Sequence, residues 1–138
     1  MLRTKISRGL AAFALAAVAT SGVAGIASAT TPATKKATTL SIKAASATVT
    51  SKTKDKVVLT ATLKSGKTAL AHRSVKLSER TFGTTTWKSV GTTHLTSKSG
   101  HPVFSVTQKN AKEQYRLTFA GTTTYAKSTS KVVTITRK

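Results

Sequence analysis

Cysteine is absent from this chain of 138 residues, and only Asp55, Glu79 and Glu113 are acidic. The absence of cysteine excludes disulfides and thiolate metal sites, so a packed core has to supply the stability. The three acids stand against 23 lysines and arginines, which gives a formal net charge of +20. A field of this sign attracts polyanions over long distances. After residue 29 there is also no apolar run long enough to span a bilayer.

The scarcity of acidic residues limits the chemistry that the chain can perform. A Ser–His–acid triad needs an acid to orient the imidazole, and paired-carboxylate hydrolysis needs two acids close together. Glu79 and Glu113 can meet only through the fold, and each is expected to form an ion pair with a neighbouring Lys or Arg. No G-x-S-x-G motif or cluster of metal ligands is present. We therefore expect no enzyme activity, no cofactor and no metal site.

The first 29 residues have the pattern of a helical secretory signal peptide. Arg3, Lys5 and Arg8 precede an apolar run from Leu10 to Ile26, which ends in the A-x-A cleavage site at 27–29. A membrane anchor is the alternative, because the run is about long enough to span. Gly, Ser and Thr interrupt this run, however, and its small-residue exit does not suit an anchor. The pattern predicts a secreted, extracellular protein that could associate with the cell wall.

Cleavage would leave about 109 residues, enough for one domain. Residues 30–37 are predicted to form a flexible leader, because they combine Pro32 with small residues and show no periodicity. Residues 38–138 are predicted to form the domain. Loss of the three basic residues of the signal peptide lowers the formal charge from +20 to +17.

Apolar residues alternate with polar ones along the domain, and Thr, Val and Ile are abundant, as in β-strands. No segment shows the apolar spacing of an amphipathic helix. The pattern predicts an all-β antiparallel sandwich of about seven strands. Gly91 is expected to mark a bulge or a switch between sheets. The predicted strands are 38–44 with a short continuation around Val49, 56–64, 74–81, 86–96, 102–108, 115–120 and 130–137.

Several motifs occur in a characteristic order: W-K-S-V-G-T-T, V-F-S-V, Y-R-L-T-F-A-G, Y-A-K-S-T-S and V-V-T-I-T. The run Y-R-x-x-F-x-G-x-x-x-Y-x-x-S-x-S is the most specific. In these motifs, residues 38–138 resemble the bacterial Ig-like domains of actinobacterial secreted and surface proteins. The resemblance implies an immunoglobulin- or fibronectin-type sandwich used for adhesion, spacing or ligand presentation. This chain departs from the family in its single copy and its strong basicity. It also lacks the inter-sheet cysteine pair of antibody domains, whose place Leu59 or Ala61 would fill by packing against Leu117.

The aromatic residues are assigned on the basis of the same immunoglobulin-like sandwich. Tyr115 stands near the start of its strand and is expected to act like a tyrosine corner, with its hydroxyl bonded to backbone upstream. Trp87, Phe104 and Phe119 are assigned to the core, and Phe82 and Tyr125 to exposed links.

In an up-and-down order of strands, consecutive links alternate between the two ends of the sandwich. One end then collects links 51–56, 82–86 and 109–114, with all three acids at it or close to it. The other end collects links 64–73, 97–101 and 121–128 and no acid. If residues 92–96 formed a separate reversed strand, the later links would change ends. The predicted polyanion-binding residues are Lys64, Lys67, Arg73, Lys98, Lys127, His72, His101 and Tyr125.

These features favour a secreted binding module that adheres electrostatically to anionic polymers of the cell wall or the extracellular space. Specific nucleic-acid readout by a helix is not expected, nor is a membrane span after cleavage. The sequence indicates no particular protein partner. Two alternatives stay open: a ligand-free structural or spacer module, and a cationic antimicrobial or inhibitory effector. Ordinary solvated loop lysines would account for the same composition.

Overall fold

The computed structural model describes residues 33–51 and 54–138, so the predicted signal peptide lies outside the described part. Within it there are ten β-strands and no α-helix, and no helix there could span a membrane. The all-β prediction is confirmed. About seven strands were predicted, and they overlap the seven longer of the ten strands; the predicted continuation around Val49 is the separate two-residue strand Thr48–Val49. The two-residue strands Thr68–Ala69 and Ser128–Thr129 were missed because they are too short to show periodicity. The strands are β1 Thr39–Ala44, β2 Thr48–Val49, β3 Lys56–Ser65, β4 Thr68–Ala69, β5 Ser74–Thr81, β6 Lys88–Leu95, β7 Val103–Thr107, β8 Lys112–Phe119, β9 Ser128–Thr129 and β10 Val133–Arg137.

The strands form two sheets that pack face to face. In the first sheet β3 is central, with β1 along one edge and with β4 and β7 along the other. The second sheet has the order β2-β10-β8-β5-β6, and β9 also pairs with β8. All the pairings are antiparallel except that of β2 with β10, which is parallel. The first part of the domain therefore contributes β1 to one sheet and β2 to the other.

The core lies between the two sheets and is built from alternate residues of each strand. In β3, Val57, Leu59, Ala61 and Leu63 are buried while the residues between them face outward. In β8 the buried positions include Leu117, which lies in the same core cluster as Leu59 and Ala61. Full burial of one such leucine contributes about 2 kcal/mol. The hydrophobic alternation was therefore sufficient to predict the inward-facing positions.

Strand β6 is continuous but bulged. Leu77 pairs with Val90 and Val75 pairs with His94, so one residue of β5 faces three residues of β6. Gly91 lies in this bulge with a φ of 62°, a conformation that glycine adopts without steric cost. The predicted bulge is confirmed, and the alternative of a separate reversed strand at 92–96 is wrong. The later links consequently keep the ends that the up-and-down order assigned to them.

Three of the aromatic assignments are confirmed. Phe104 and Phe119 are buried in the core, and Phe82 is 50% exposed. Trp87 was assigned to the core wrongly: it precedes the edge strand β6, is only partly buried, and lies against arginine side chains. Tyr125 was wrongly assigned to an exposed link, because it is partly buried and packs against the core.

Tyr115 is buried as the tyrosine-corner prediction requires, but its hydroxyl does not bond to the expected partner. The side chain is fully buried, as a corner requires. Its hydroxyl, however, donates a hydrogen bond of 2.6 Å to Oε2 of Glu113 and not to an upstream backbone group. Because the two residues stand two apart on β8, their side chains lie on the same face.

The residues that precede β1 are attached to the domain. The backbone N of Lys36 donates to the Thr124 carbonyl at 2.8 Å, and the backbone N of Ala126 donates to the Lys36 carbonyl at 2.9 Å. The hydroxyl of Thr38 donates to the Ala126 carbonyl at 2.9 Å. The end of the segment predicted to be a flexible leader is thus paired with the link between β8 and β9.

Candidate polyanion-binding site

One end of the sandwich is formed by links 66–73, 96–102 and 120–127, and we call it the basic end. Backbone hydrogen bonds join the first two links: the N of His72 donates to the Thr96 carbonyl, and the N of Thr96 donates to the Arg73 carbonyl. The buried hydroxyl of Thr96 accepts from the N of Arg73 and donates to the Leu70 carbonyl. These bonds hold the two links in a fixed relation.

The four lysines predicted to bind polyanions lie in or beside these links, and all are exposed. Lys64 is near the end of β3 and borders a shallow groove of about 270 Å³. Lys67 lies in the turn between β3 and β4, Lys98 in the link 96–102, and Lys127 immediately before β9. Exposed ammonium groups on flexible stems can reach an extended ligand without leaving water.

Arg73 and Tyr125 form the inner part of the basic end. The guanidinium carbon of Arg73 lies 5.4 Å from the centroid of the Tyr125 ring, within the range of a cation–π contact. The Nε atom of Arg73 is buried and has no hydrogen-bond partner among the described residues. The backbone of Tyr125 in turn pairs with Lys36. Lys36 therefore also lies at this end, although a single bridge leaves no periodic signal in the sequence.

The two predicted histidines have different roles in the links. His72 is exposed and has a φ of 52°, and its backbone N closes the bond to Thr96. His101 is also exposed, but its Nδ1 lies 3.0 Å from the Ala61 carbonyl oxygen and 3.0 Å from the Thr62 hydroxyl. Because a carbonyl can only accept a hydrogen bond, Nδ1 carries a proton in this arrangement.

The basic end contains no acidic residue, since none of residues 66–73, 96–102 or 120–127 is Asp or Glu. Asp55 lies at the opposite end, where its Oδ2 is 2.8 Å from a guanidinium nitrogen of Arg137. Glu79 and Glu113 line a cleft that also adjoins that end. The cations of the basic end therefore have no carboxylate nearby to neutralise them.

This cleft, the glutamate cleft, was not found from the sequence. It has a volume of about 530 Å³. Glu79 pairs with Tyr115 and Thr81 pairs with Glu113, so the register of β5 on β8 brings the two acids together. Neither Glu79 nor Glu113 forms an ion pair with a described residue, so the expectation that both would do so is wrong. Among the described acids only Asp55 forms one. The residues that line the glutamate cleft are Glu79, Arg80, Thr81, Thr84, Thr86, Lys88, Lys109, Asn110 and Glu113.

Glu113 is a buried structural carboxylate. Its Oε1 accepts from the backbone N of Asn110 at 3.1 Å and from Nδ2 of Asn110 at 2.6 Å, while Oε2 accepts from the Tyr115 hydroxyl. Burial, followed by the hydrogen bond to Glu113, raises the pKa of Tyr115 far above its ordinary range, so the hydroxyl keeps its proton. Being 2% exposed and bonded at both oxygens, Glu113 is poorly placed to attack a substrate.

Glu79 is the titratable group of the cleft. Burial and, after it, the charge of Glu113 raise the pKa of Glu79, and the cations Lys109 and Lys88 oppose this shift. The folded state therefore holds the proton of Glu79 more tightly than the unfolded chain does. It follows that ionisation of Glu79 destabilises the fold as pH rises from about its ordinary value of 4.5 through the raised value.

We expect Glu79→Gln to raise the melting temperature at pH 7 by no more than a few degrees, since partial exposure screens the charge. The gain should shrink as pH falls and vanish below about pH 4.5, where Glu79 is neutral in both states. This gain in melting temperature is measured by monitoring thermal unfolding with circular dichroism from pH 3 to 8. Equal melting curves for the two proteins at pH 7 would contradict the assigned shift.

Comparison of the chain with protein-family models, with curated proteins and with solved structures finds no significant match. Function has to be inferred from the fold and from the arrangement of charge.

Proposed function

We propose that this protein is a secreted, immunoglobulin-like binding module whose basic end adheres to anionic polymers of the cell wall or the extracellular space. The observation that carries the proposal is the gathering of the acids at one end of the sandwich, although cations such as Lys56 and Lys109 lie at that end too. The predicted cations lie at one end, without an acid in its links, and the three acids lie at or near the other. In a strongly basic chain this gives one surface where the positive potential is undiminished.

The order of the strands supports the immunoglobulin-like part of the proposal. Such sandwiches place their first, second and fifth strands in one sheet and their third, sixth and seventh in the other. Counted among the seven longer strands, β1, β3 and β7 share one sheet here, and β5, β8 and β10 share the other. The fourth, β6, joins β5 at an edge of the second sheet, whereas the constant-type immunoglobulin sandwich keeps its fourth strand in the first sheet. The placement of the other six strands supports the resemblance of residues 38–138 to bacterial Ig-like domains.

The mechanism is electrostatic retention by several weak contacts. Each exposed lysine contributes about 1 kcal/mol beside an anionic surface, and the contacts act together because one rigid scaffold carries them. Ion release from the polymer drives such binding, so affinity falls steeply as salt is added. Flexible lysines suit a polymer whose charges repeat at irregular spacings, because they do not demand one geometry.

The experiment measures retention of the domain 30–138 on immobilised polyphosphate, with neutral dextran as the reference, from 50 to 500 mM NaCl. We expect a linear fall of log K with log salt on polyphosphate and no retention on dextran. A triple variant should lose affinity on the order of 100-fold, at about 1 kcal/mol per reversed lysine. It carries Lys67→Glu, Lys98→Glu and Lys127→Glu.

A matched control separates the basic end from bulk charge. The control has the same net charge as the triple variant, and its three exposed lysines lie outside the basic end. We expect its loss of affinity to be several-fold at most. Equal losses in the two variants would show that total charge is sufficient, and absence of retention in the unmodified domain would favour a ligand-free spacer. The control carries Lys43→Glu, Lys56→Glu and Lys138→Glu.

A further inference from the structure

The outer face of the second sheet carries a second group of cations, apart from the basic end. The register sets Lys76 opposite Thr118 and Arg80 opposite Gln114. Side chains alternate along a strand, so these positions lie on the face turned away from the core. Arg116 and Lys112 lie on the same face of β8, because they alternate with the buried Glu113, Tyr115 and Leu117.

Two of these cations converge on one indole ring. The guanidinium carbons of Arg80 and Arg116 lie 4.5 Å and 4.2 Å from the centroid of the Trp87 ring. Because both carbons are close to the same centroid, the two guanidinium carbons are at most about 9 Å apart.

Hydrogen bonds fix the position of the first arginine. Nε of Arg80 donates to Oε1 of Gln114 at 2.7 Å, and Nε2 of Gln114 donates to the Thr134 hydroxyl at 3.2 Å, so the network crosses three strands. Nε of Arg116 is buried without a hydrogen-bond partner among the described residues. Arg80 is thus held through its Nε and Arg116 through its contact with the Trp87 ring, and the terminal nitrogens of both make no hydrogen bond to the described residues.

Neither guanidinium group forms an ion pair within the described part of the chain, where the only ion pair joins Asp55 to Arg137. Arg80 and its sequence neighbour Glu79 both line the glutamate cleft, but their side chains leave β5 on opposite faces and do not form an ion pair. Two adjacent guanidinium groups without a carboxylate repel each other, and an anion between them would relieve that repulsion. Guanidinium is also the side-chain group best suited to bind oxyanions through two parallel hydrogen bonds.

We propose that Arg80 and Arg116 form an anion site for a phosphate or sulfate ester, with Trp87 as the platform that orients both guanidinium groups. A tetrahedral oxyanion offers more acceptor oxygens than a planar carboxylate does, so it can engage two arginines at once. The site goes beyond retention at the basic end, because it selects one chemical group instead of responding to a general field. A negative result for retention at the basic end would leave the ester site at Trp87 untouched, and the reverse is also true.

Trp87 supplies the measurement, because it is the only tryptophan of the chain and lies at the site. Its fluorescence is followed while the domain 30–138 is titrated with methyl phosphate, methyl sulfate or acetate, with sodium chloride holding the ionic strength constant. A saturable change with an ester and none with acetate or chloride is the expected result. The ester whose fluorescence change saturates at the lower concentration identifies the group, phosphate or sulfate, that the site prefers. Equal responses to all four anions would overturn the proposal.

Arg116→Lys tests the geometry at constant charge. Lysine cannot form two parallel hydrogen bonds or lie flat on the indole ring, so we expect half-saturation to require at least tenfold more ester. The matched control is Arg137→Lys, on another strand, which should titrate like the unmodified domain. Arg80→Lys repeats the test if Arg116→Lys fails to fold by circular dichroism. An unchanged titration in the folded variant would show that the two arginines only pack against Trp87.

The same titration keeps the two proposals apart. The triple variant of the basic end should lose polyphosphate retention but keep the ester-dependent change in Trp87 fluorescence. Arg116→Lys should show the reverse, with retention on polyphosphate reduced by less than threefold. If the triple variant also lost the fluorescence change, the response would reflect the general field of the domain, and the separate site would be refuted.

Discussion

Replacement of Glu113 with alanine should lower the free energy of unfolding by about 3 kcal/mol. The carboxylate accepts three hydrogen bonds while being almost fully buried. Its removal would leave the buried Tyr115 hydroxyl without an acceptor and would release Asn110, which holds the link between β7 and β8. An unsatisfied buried group costs about 1–3 kcal/mol, and hydrogen bonds to a charged group are the stronger ones. Urea unfolding at pH 7 measures the loss.

Two further variants make this prediction specific. Glu113→Gln keeps the shape and one oxygen acceptor, so its cost should be smaller, about 1 kcal/mol. Glu79→Ala removes the other carboxylate of the same cleft, which is partly exposed, and it should not destabilise the domain at pH 7. If Glu113→Ala proved no more destabilising than Glu79→Ala, the hydrogen-bond network around Glu113 would not contribute to stability in the way we infer.

Replacement of Gly100 with alanine should also cost about 3 kcal/mol. Gly100 has a φ of 77°, and an added Cβ would lie 2.7 Å from the Leu63 carbonyl oxygen and 3.2 Å from Cβ of Ala69. About 1 kcal/mol comes from the left-handed backbone and about 2 kcal/mol from the overlap. The overlap involves backbone, which cannot rotate away. The link 96–102 would have to move outward, and with it Lys98.

Gly66 is the matched control for this prediction. It lies at the same end with a φ of 58°, but an added Cβ would meet nothing within 4 Å. Gly66→Ala should therefore show only the backbone cost of about 1 kcal/mol. Urea unfolding of both variants gives the difference, and polyphosphate retention shows whether the displaced link weakens the basic end. Equal unfolding energies would mean that the close approach at Gly100 does not constrain the link.

What the sequence determined by itself is the fold class and the inward-facing side of each long strand. Alternation along β3 and β8 reflects a local rule, since neighbouring residues of a strand face opposite sides, and it needs no knowledge of partners. The order of links at the two ends followed from the same strands, once β6 proved continuous through Gly91. Trp87 and Tyr125 were misplaced because residues beside strands or in links obey no such alternation.

Only the tertiary structure decided which side chains meet across strands. Glu79 and Glu113 are 34 residues apart along the chain, as are Arg80 and Gln114, and the register of β5 on β8 brings both pairs together. A shift of that register by one residue would leave each strand's own pattern unchanged yet alter every cross-strand pair. The glutamate cleft and the paired arginines at Trp87 arise from that register. Alternation within a strand contains no information about it, because register depends on long-range packing and on the geometry of the connecting links.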